Sequence, residues 1–122
     1  MAVVALHHVQ LAMPPGGEDR ARSFYAEILG IAEKPKPAHL RSRGGVWFEQ
    51  GAVRIHLGVE PGFKPARKAH PRLQVRDLRA LAASLRAHRH EVVEDDPLEG
   101  AARIYTDDPF GNRIELIEYV AG

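Results

Sequence analysis

The chain has no cysteine. Disulfides, thiol nucleophiles and thiolate metal sites are thereby excluded, and any metal must sit on nitrogen and oxygen. It also has no long apolar run: none approaches the ~20 residues that a membrane-spanning helix needs. It has little charge of one sign, with 17 Lys and Arg against 16 Asp and Glu, which leaves a net charge of +1 with histidine neutral. That balance gives no whole-protein attraction to nucleic acid or to a membrane surface, so neither is expected as a partner. The basic stretch Lys64, Arg67, Lys68 lacks the interleaved aromatics of a nucleic-acid site. The start, Met-Ala-Val-Val-Ala-Leu-His-His, has no basic n-region and no long apolar h-region, so no signal peptide is expected and a cytoplasmic location is the default.

What is present is a regular alternation of strand and helix patterns. At 122 residues the chain is expected to be one domain, long enough to build a core without staples. Val9, Leu11 and Met13 alternate with polar positions, giving a first strand over 3–13. Glu18 and Asp19 open a helix whose stripe is Ala21, Phe24, Tyr25, Ile28 and Leu29, and Gly30 can end it. Strands are expected at 39–43, 46–49 and 53–59, with turns at Gly44-Gly45 and Gln50-Gly51. A Pro-rich connector, 61–68, follows. Then the order repeats: a strand over 70–75, a helix capped by Asp77 with Leu78, Leu81, Ala82 and Leu85 as its stripe, and strands at 90–94, 102–106 and 113–119. The last two are joined by Asp107-Asp108-Pro109-Phe110-Gly111-Asn112, a turn built on a proline and a Gly-Asn pair. The chain therefore reads as module one (1–60), a connector (61–68) and module two (69–122), each ordered strand, helix, three strands.

The repeat carries the candidate site. His8-Val9-Gln10-Leu11 parallels His70-Pro71-Arg72-Leu73 at the start of each module. Arg54-Ile55-His56-Leu57 parallels Arg113-Ile114-Glu115-Leu116 at the end of each. His56 lies 48 residues after His8, and Glu115 lies 45 after His70. Side chains alternate between the two faces of a strand, so His8, His56, His70 and Glu115 fall on the face opposite the apolar positions that should cover the helices. If the sheets curl toward each other, the four side chains converge. A carboxylate buried there needs a partner. Imidazole and carboxylate with open positions suit Fe(II), Mn, Ni or Zn, and the sequence does not choose among them. By the same parity Gln10, Arg54, Arg72, Gln74 and Arg113 share the face and could bind substrate, with Trp47 and Tyr119 as candidate walls. His7, His39, His88 and His90 are not expected to ligate.

The chain resembles the vicinal oxygen chelate superfamily, which includes glyoxalase I, extradiol dioxygenases, fosfomycin resistance proteins, methylmalonyl-CoA epimerase and the metal-free bleomycin resistance proteins. The resemblance rests on Leu6-His7-His8-Val9-Gln10-Leu11, on Ser23-Phe24-Tyr25 through Leu29-Gly30, on the restart at His70, and on Asp108-Pro109-Phe110-Gly111-Asn112-Arg113-Ile114-Glu115-Leu116. It implies an α+β fold in which two βαβββ modules form a concave eight-stranded half-barrel (glyoxalase-like). It implies His8, His70 and Glu115 as ligands of a divalent metal ion, with His56 as a fourth ligand or the acid/base. Glu115 and His56 are then the candidate catalytic residues, and Gln10, Trp47, Arg72 and Gln74 the candidate substrate contacts. Glyoxalase I has a glutamate or glutamine where His56 stands, so this chain departs from that enzyme. The implied activity is a metal-dependent lyase, isomerase or dioxygenase acting on a small molecule with adjacent oxygens, in a homodimer. The alternative is a metal-free, bleomycin-resistance-like binding protein.

Overall fold

The computed structural model of the chain describes residues 1–98 and 100–120. The chain divides into two compact units, Met1–Lys64 and Pro65–Gly122. Each contains one four-stranded mixed sheet.

In unit 1 the strands are β1 (Val9–Met13), β2 (Glu33–Lys34), β3 (Val46–Gln50) and β4 (Val53–Val59), in the order β1-β4-β3-β2. β1 runs parallel to β4, and β3 is antiparallel to both β4 and β2. Gly51, with φ 58°, opens the two-residue hairpin loop between Gln50 and Val53, where a positive φ matches the twist of the flanking strands. Leu11, Val46, Phe48, Ile55 and Leu57 are buried and register with one another across the three strands. They meet Phe24 and Tyr25, which are fully buried, and the Tyr25 and Phe48 rings stack at 5.3 Å. These two aromatics sit on the continuation of α1 (Glu18–Ala21). That continuation, Arg22–Ile28, is wound as a π-helix, with Leu29 N–H donating to the Phe24 carbonyl five residues back.

In unit 2 the strands are β5 (Arg72–Gln74), β6 (Val92–Glu94), β7 (Ala101–Asp107) and β8 (Arg113–Tyr119), ordered β5-β8-β7-β6. β5 is parallel to β8, and the other pairs are antiparallel. α2 (Leu78–Ala87) lies against β6, β7 and β8 and buries Leu78, Ala82 and Leu85. Asp77 caps it, its Oδ1 accepting from the Ala80 N–H. The turn before β8 is held from inside. Asp108 Oδ1 accepts from the backbone of Phe110 and Asn112, and Asn112 Nδ2 donates to Asp108 Oδ2 at 3.0 Å. Asn112 also reaches the connector, accepting from Ala66 N–H.

Four expectations change. Residues 39–43 belong to a 3-10 helix, Ala38–Arg43, not a strand. The strand beside β3 is instead the unforeseen β2. The first strand begins at Val9 rather than residue 3, and β5 spans 72–74 rather than 70–75, so His8 and His70 each stand just ahead of their strand. Tyr119, a candidate wall, instead ends β8 half exposed, at 52%. Among the described residues no helix is long and apolar enough to cross a membrane.

Candidate functional site

Each unit presents one pair of the predicted residues on the face of its sheet opposite the helix. In unit 1, His56 on β4 is flanked in register by Gln10 on β1 and Trp47 on β3. The His56 ring is sandwiched: Trp47 stacks on it at 4.2 Å and 9°, and His8 at 4.2 Å and 20°. Gly58, one pleat along β4, leaves room for the Gln10 amide, since a Cβ there would lie 2.6 Å from Gln10 Nε2. These side chains, with His7, Lys34, Glu49 and Arg54, line a cavity of about 760 Å³.

Glu49 is the residue that sequence reasoning missed. It lies two positions after Trp47, hence on the same face, and its Oε2 is 2.7 Å from His56 Nε2. Lys34 Nζ stands 3.4 Å from its other oxygen and Arg54 Nε 3.9 Å. The hydrogen bond from His56 holds the Glu49 carboxyl below the usual carboxylate range, more strongly than burial raises it, and Lys34 adds to the lowering. Burial pushes His56 down from the ordinary histidine value, and neighbouring His8 adds to this, outweighing the upward pull of Glu49. The pair is therefore a neutral imidazole donating to a carboxylate near neutral pH.

In unit 2 the centre is Glu115, whose side chain is 1% exposed. Its register neighbours are Arg72 on β5 and Tyr105 on β7. Oε1 is 2.9 Å from His70 Nε2. Oε2 takes Arg72 Nε at 2.8 Å and Arg103 Nη1 at 3.4 Å. Burial pushes this carboxyl up, but His70, Arg72 and Arg103 together outweigh it and hold it below the usual range. His70 Nδ1 faces the Lys68 carbonyl at 2.9 Å, which orients the ring. Arg103 was not anticipated. It sits two residues before Tyr105 on the same face and also binds Asp95 and the Asp96 carbonyl. Gln74 shares the face but is exposed and is not among the hydrogen-bond or ion-pair partners of Glu115. Arg113 lies over the Tyr105 ring at 3.9 Å.

The donor chemistry fits a divalent ion. His70 Nε2 and Glu115 Oε1 are nitrogen and oxygen donors of the kind such ions take, and at 2.9 Å they are hydrogen-bonded to each other. Glu115 Oε2 is meanwhile held by guanidinium groups, the kind of outer support that orients a ligating carboxylate. The predicted residues stand as pairs, His8 with His56 and His70 with Glu115. Among the described residues no group of three or more His, Asp or Glu side chains is close enough to share an ion.

Residues 15–117 match the profile of the glyoxalase-like domain. The chain belongs to the glyoxalase-like domain family. The glyoxalase-like fold is shared with a glyoxalase family protein from Bacillus anthracis, 43% identical, with a TM-score of 0.91 over 98% of each chain. It is shared at lower identity with the fosfomycin resistance protein FosX from Listeria monocytogenes, at 15% and TM-score 0.78 over 98% of this chain and 96% of that one. A glyoxalase/dioxygenase from Nostoc punctiforme is 20% identical with TM-score 0.76, over 98% and 97% of the two chains. No curated protein matches the chain. These neighbours share the fold, and each unit follows the expected order of strand, helix and three strands.

Proposed function

We propose that this glyoxalase-like domain is a metal-dependent enzyme acting on a small molecule with adjacent oxygens, by a lyase, isomerase or dioxygenase reaction. The observation that carries the reading is the unit 2 pair. A buried carboxylate, Glu115, offers Oε1 beside an imidazole nitrogen, while its second oxygen is fixed by Arg72 and Arg103. His70 and Glu115 in unit 2 are the proposed ligand pair for Fe, Mn, Ni or Zn, and His8 and His56 are the candidate ligands that unit 1 offers. A divalent ion so held would supply Lewis-acid polarisation of the substrate oxygens. The rest falls to the chain's own groups. Arg72 carries positive charge to the edge of the site and can orient an electron-rich substrate. His56, neutral and desolvated, can hold or move a proton in its cavity. Trp47 and Gln10 wall that cavity. A solved FosX mutant complexed with Mn(II) and a dihydroxypropylphosphonic acid, 16% identical with TM-score 0.75, has the same fold and supports the metal reading by analogy.

The test is elemental analysis of protein purified without chelator, followed by titration of the apo protein with Mn(II), Ni(II), Zn(II) and anaerobic Fe(II). Near-stoichiometric binding that is lost in His70→Ala and Glu115→Gln is expected. Absence of binding by any of the four ions would overturn the reading. We also propose a cytoplasmic homodimer with a small-molecule substrate and no nucleic-acid or membrane partner, and sedimentation velocity tests the dimer.

One observation favours a second reading, a metal-free small-molecule binder. The charge of Glu115 is already balanced by two guanidinium groups and His70. A protein free of metal that binds a planar cationic drug with a stoichiometry of one per site would establish it.

A further inference from the structure

Unit 1 contains a carboxylate, Glu49, that the ligands proposed above do not include and that is paired with His56. Glu49 accepts from His56 Nε2 at 2.7 Å, and its side chain is 13% exposed. The opposite ring nitrogen, Nδ1, makes no hydrogen bond among the described residues. Among the described residues no buried side-chain nitrogen or oxygen lacks a partner. His56 as a residue is 5% exposed and lines the 760 Å³ cavity, and an Nδ1 without a partner keeps some of that exposure. The ring cannot flip easily to exchange the two nitrogens, because Trp47 and His8 hold its two faces at 4.2 Å.

We propose that Glu49 is the positioning residue of His56: it fixes the Nε2–H tautomer and so presents the Nδ1 lone pair to the cavity. A neutral imidazole has one donor nitrogen and one acceptor nitrogen, and the hydrogen bond made by one decides the state of the other. A carboxylate acceptor at Nε2 leaves Nδ1 as the acceptor, available to a metal ion or to a substrate proton. Lys34 and Arg54 hold Glu49 from its other side, which keeps its carboxylate turned toward the ring. Without Glu49, neither Lys34 nor Arg54 could replace it, since both only donate. The ring would then lose its tautomeric preference. The inference deepens the proposed function by specifying which nitrogen His56 offers, and it rests on that reading only for the metal measurement.

The experiment uses the full chain, ¹⁵N-labelled at histidine, without metal at pH 7.5. Two-bond ¹H–¹⁵N correlation spectra read the tautomer of each ring, with His56 assigned by the loss of its signals in His56→Gln. The wild type is expected to show His56 protonated at Nε2. Glu49→Gln, which keeps an acceptor oxygen, should retain that pattern, and Glu49→Ala should shift it to a mixture of both tautomers. Far-UV circular dichroism checks that each variant is folded. If Glu49→Ala does not fold, Glu49→Met supplies an apolar side chain of similar length. On the metal side, loss of an orienting partner typically weakens affinity by about 10–100-fold. The expected order is therefore wild type, then Glu49→Gln within a few-fold, then Glu49→Ala 10–100-fold weaker. Wild-type His56 protonated at Nδ1, or an Nε2–H signature unchanged in Glu49→Ala, overturns the proposal. If no metal binds the wild type, the proposed function falls, while the tautomer spectra still decide this inference.

Discussion

The two units use the same frame with opposite charge. Strand register puts Gln10 and Arg72, Trp47 and Tyr105, and His56 and Glu115 in equivalent positions. Glu49 pairs with Arg54 in β3 and β4 as Asp107 pairs with Arg113 in β7 and β8. In unit 1 the central group is a base, His56, held by an acid, Glu49. In unit 2 it is an acid, Glu115, held by bases. Asp107 does not reach the centre at all and turns to Arg67 at 2.8 Å. A repeated backbone thus fixes where a functional side chain stands, and the neighbours one strand away fix its protonation state.

The comparison extends to the core, where the largest effects are expected. Phe48 on β3 corresponds to Thr106 on β7, and both are buried. Phe48 stacks on Tyr25, whereas Thr106 donates its hydroxyl to the Glu91 carbonyl at 2.7 Å. Phe48→Ala should cost about 4 kcal/mol by leaving a cavity beside the π-helix. Thr106→Val should cost about 1 kcal/mol, since it loses one hydrogen bond and keeps its shape. Urea titration measures both, and Trp47, the only tryptophan, reports unit 1 by its fluorescence. Equal costs would mean that the two cores are not built differently.

Glycine at the turns breaks the symmetry next. Gly45 has φ 87°, and a Cβ there would lie 2.3 Å from the Leu57 carbonyl oxygen in β4. Gly111 has φ 92°, but its nearest neighbours are Pro65 ring carbons at 3.3 and 3.4 Å. Gly45→Ala should cost roughly 3 kcal/mol, at the upper end for a strained backbone, and Gly111→Ala roughly 1 kcal/mol. Thermal melts of both variants compare them, and a Gly111→Ala loss as large as that of Gly45→Ala would contradict the assigned role of the β4 contact.

Charge inversion also orders the response to acid. His56 has its folded value lowered, so the folded state resists its protonation, and stability drops as pH falls below the ordinary histidine value of 6.5. Glu115 is also lowered. Its contribution is present above the ordinary value of 4.5 and is lost only as pH falls below it. In chelator, the Trp47 urea midpoint should fall between pH 7 and 5.5. Backbone amide signals of β8 should hold until below 4.5. Glu49→Gln separates the two unit 1 groups, because the decline that begins below 6.5 belongs to His56 and must survive that substitution.

Much of this was legible in the amino-acid order, for identifiable reasons. β4 and β8 were placed to the residue because alternation and turn chemistry agree there: Gly51 before one, Gly111-Asn112 before the other. α2 was legible from Asp77 and its apolar stripe. Residues 39–43 misled because Leu40 between polar neighbours imitates alternation over too few positions to tell a strand from a 3-10 turn. β2 had no signal, since Glu33 and Lys34 are exposed and take their strand pairing from Phe48 and Trp47 across the sheet. Strand parity put His8, His56, His70 and Glu115 on the face away from the helices, and the structure brings them together two by two, His8 with His56 and His70 with Glu115. The same parity applied to Trp47 would have found Glu49, but parity gives a face and not a partner. Arg103 was hidden because the carboxylate it supports lies on another strand.

The smallest expected effect concerns how the two main helices begin. α2 has Asp77 as its cap, in the left-handed region at φ 52°, with Oδ1 accepting from Ala80 N–H at 3.3 Å. α1 follows Gly17 and has no side-chain cap. Its first turn carries Glu18 and Asp19, which complement the helix dipole, and Glu18 is also engaged by the Gly45 N–H. Asp77 therefore does two things at once, capping and tolerating a positive φ. Asp77→Ala loses both and should cost about 1 kcal/mol. Asp77→Gly loses the cap but keeps the backbone freedom, so it should cost a few tenths, about 0.3 kcal/mol. Asp77→Asn should be close to neutral, as it keeps both. Chemical denaturation of the three variants gives the ranking. If Gly proved as costly as Ala, the hydrogen bond to Ala80 would carry the whole effect and the positive φ none of it. Glu118, which accepts from the backbone N–H of Asp77 and Leu78, remains in all three and limits the loss to the cap itself.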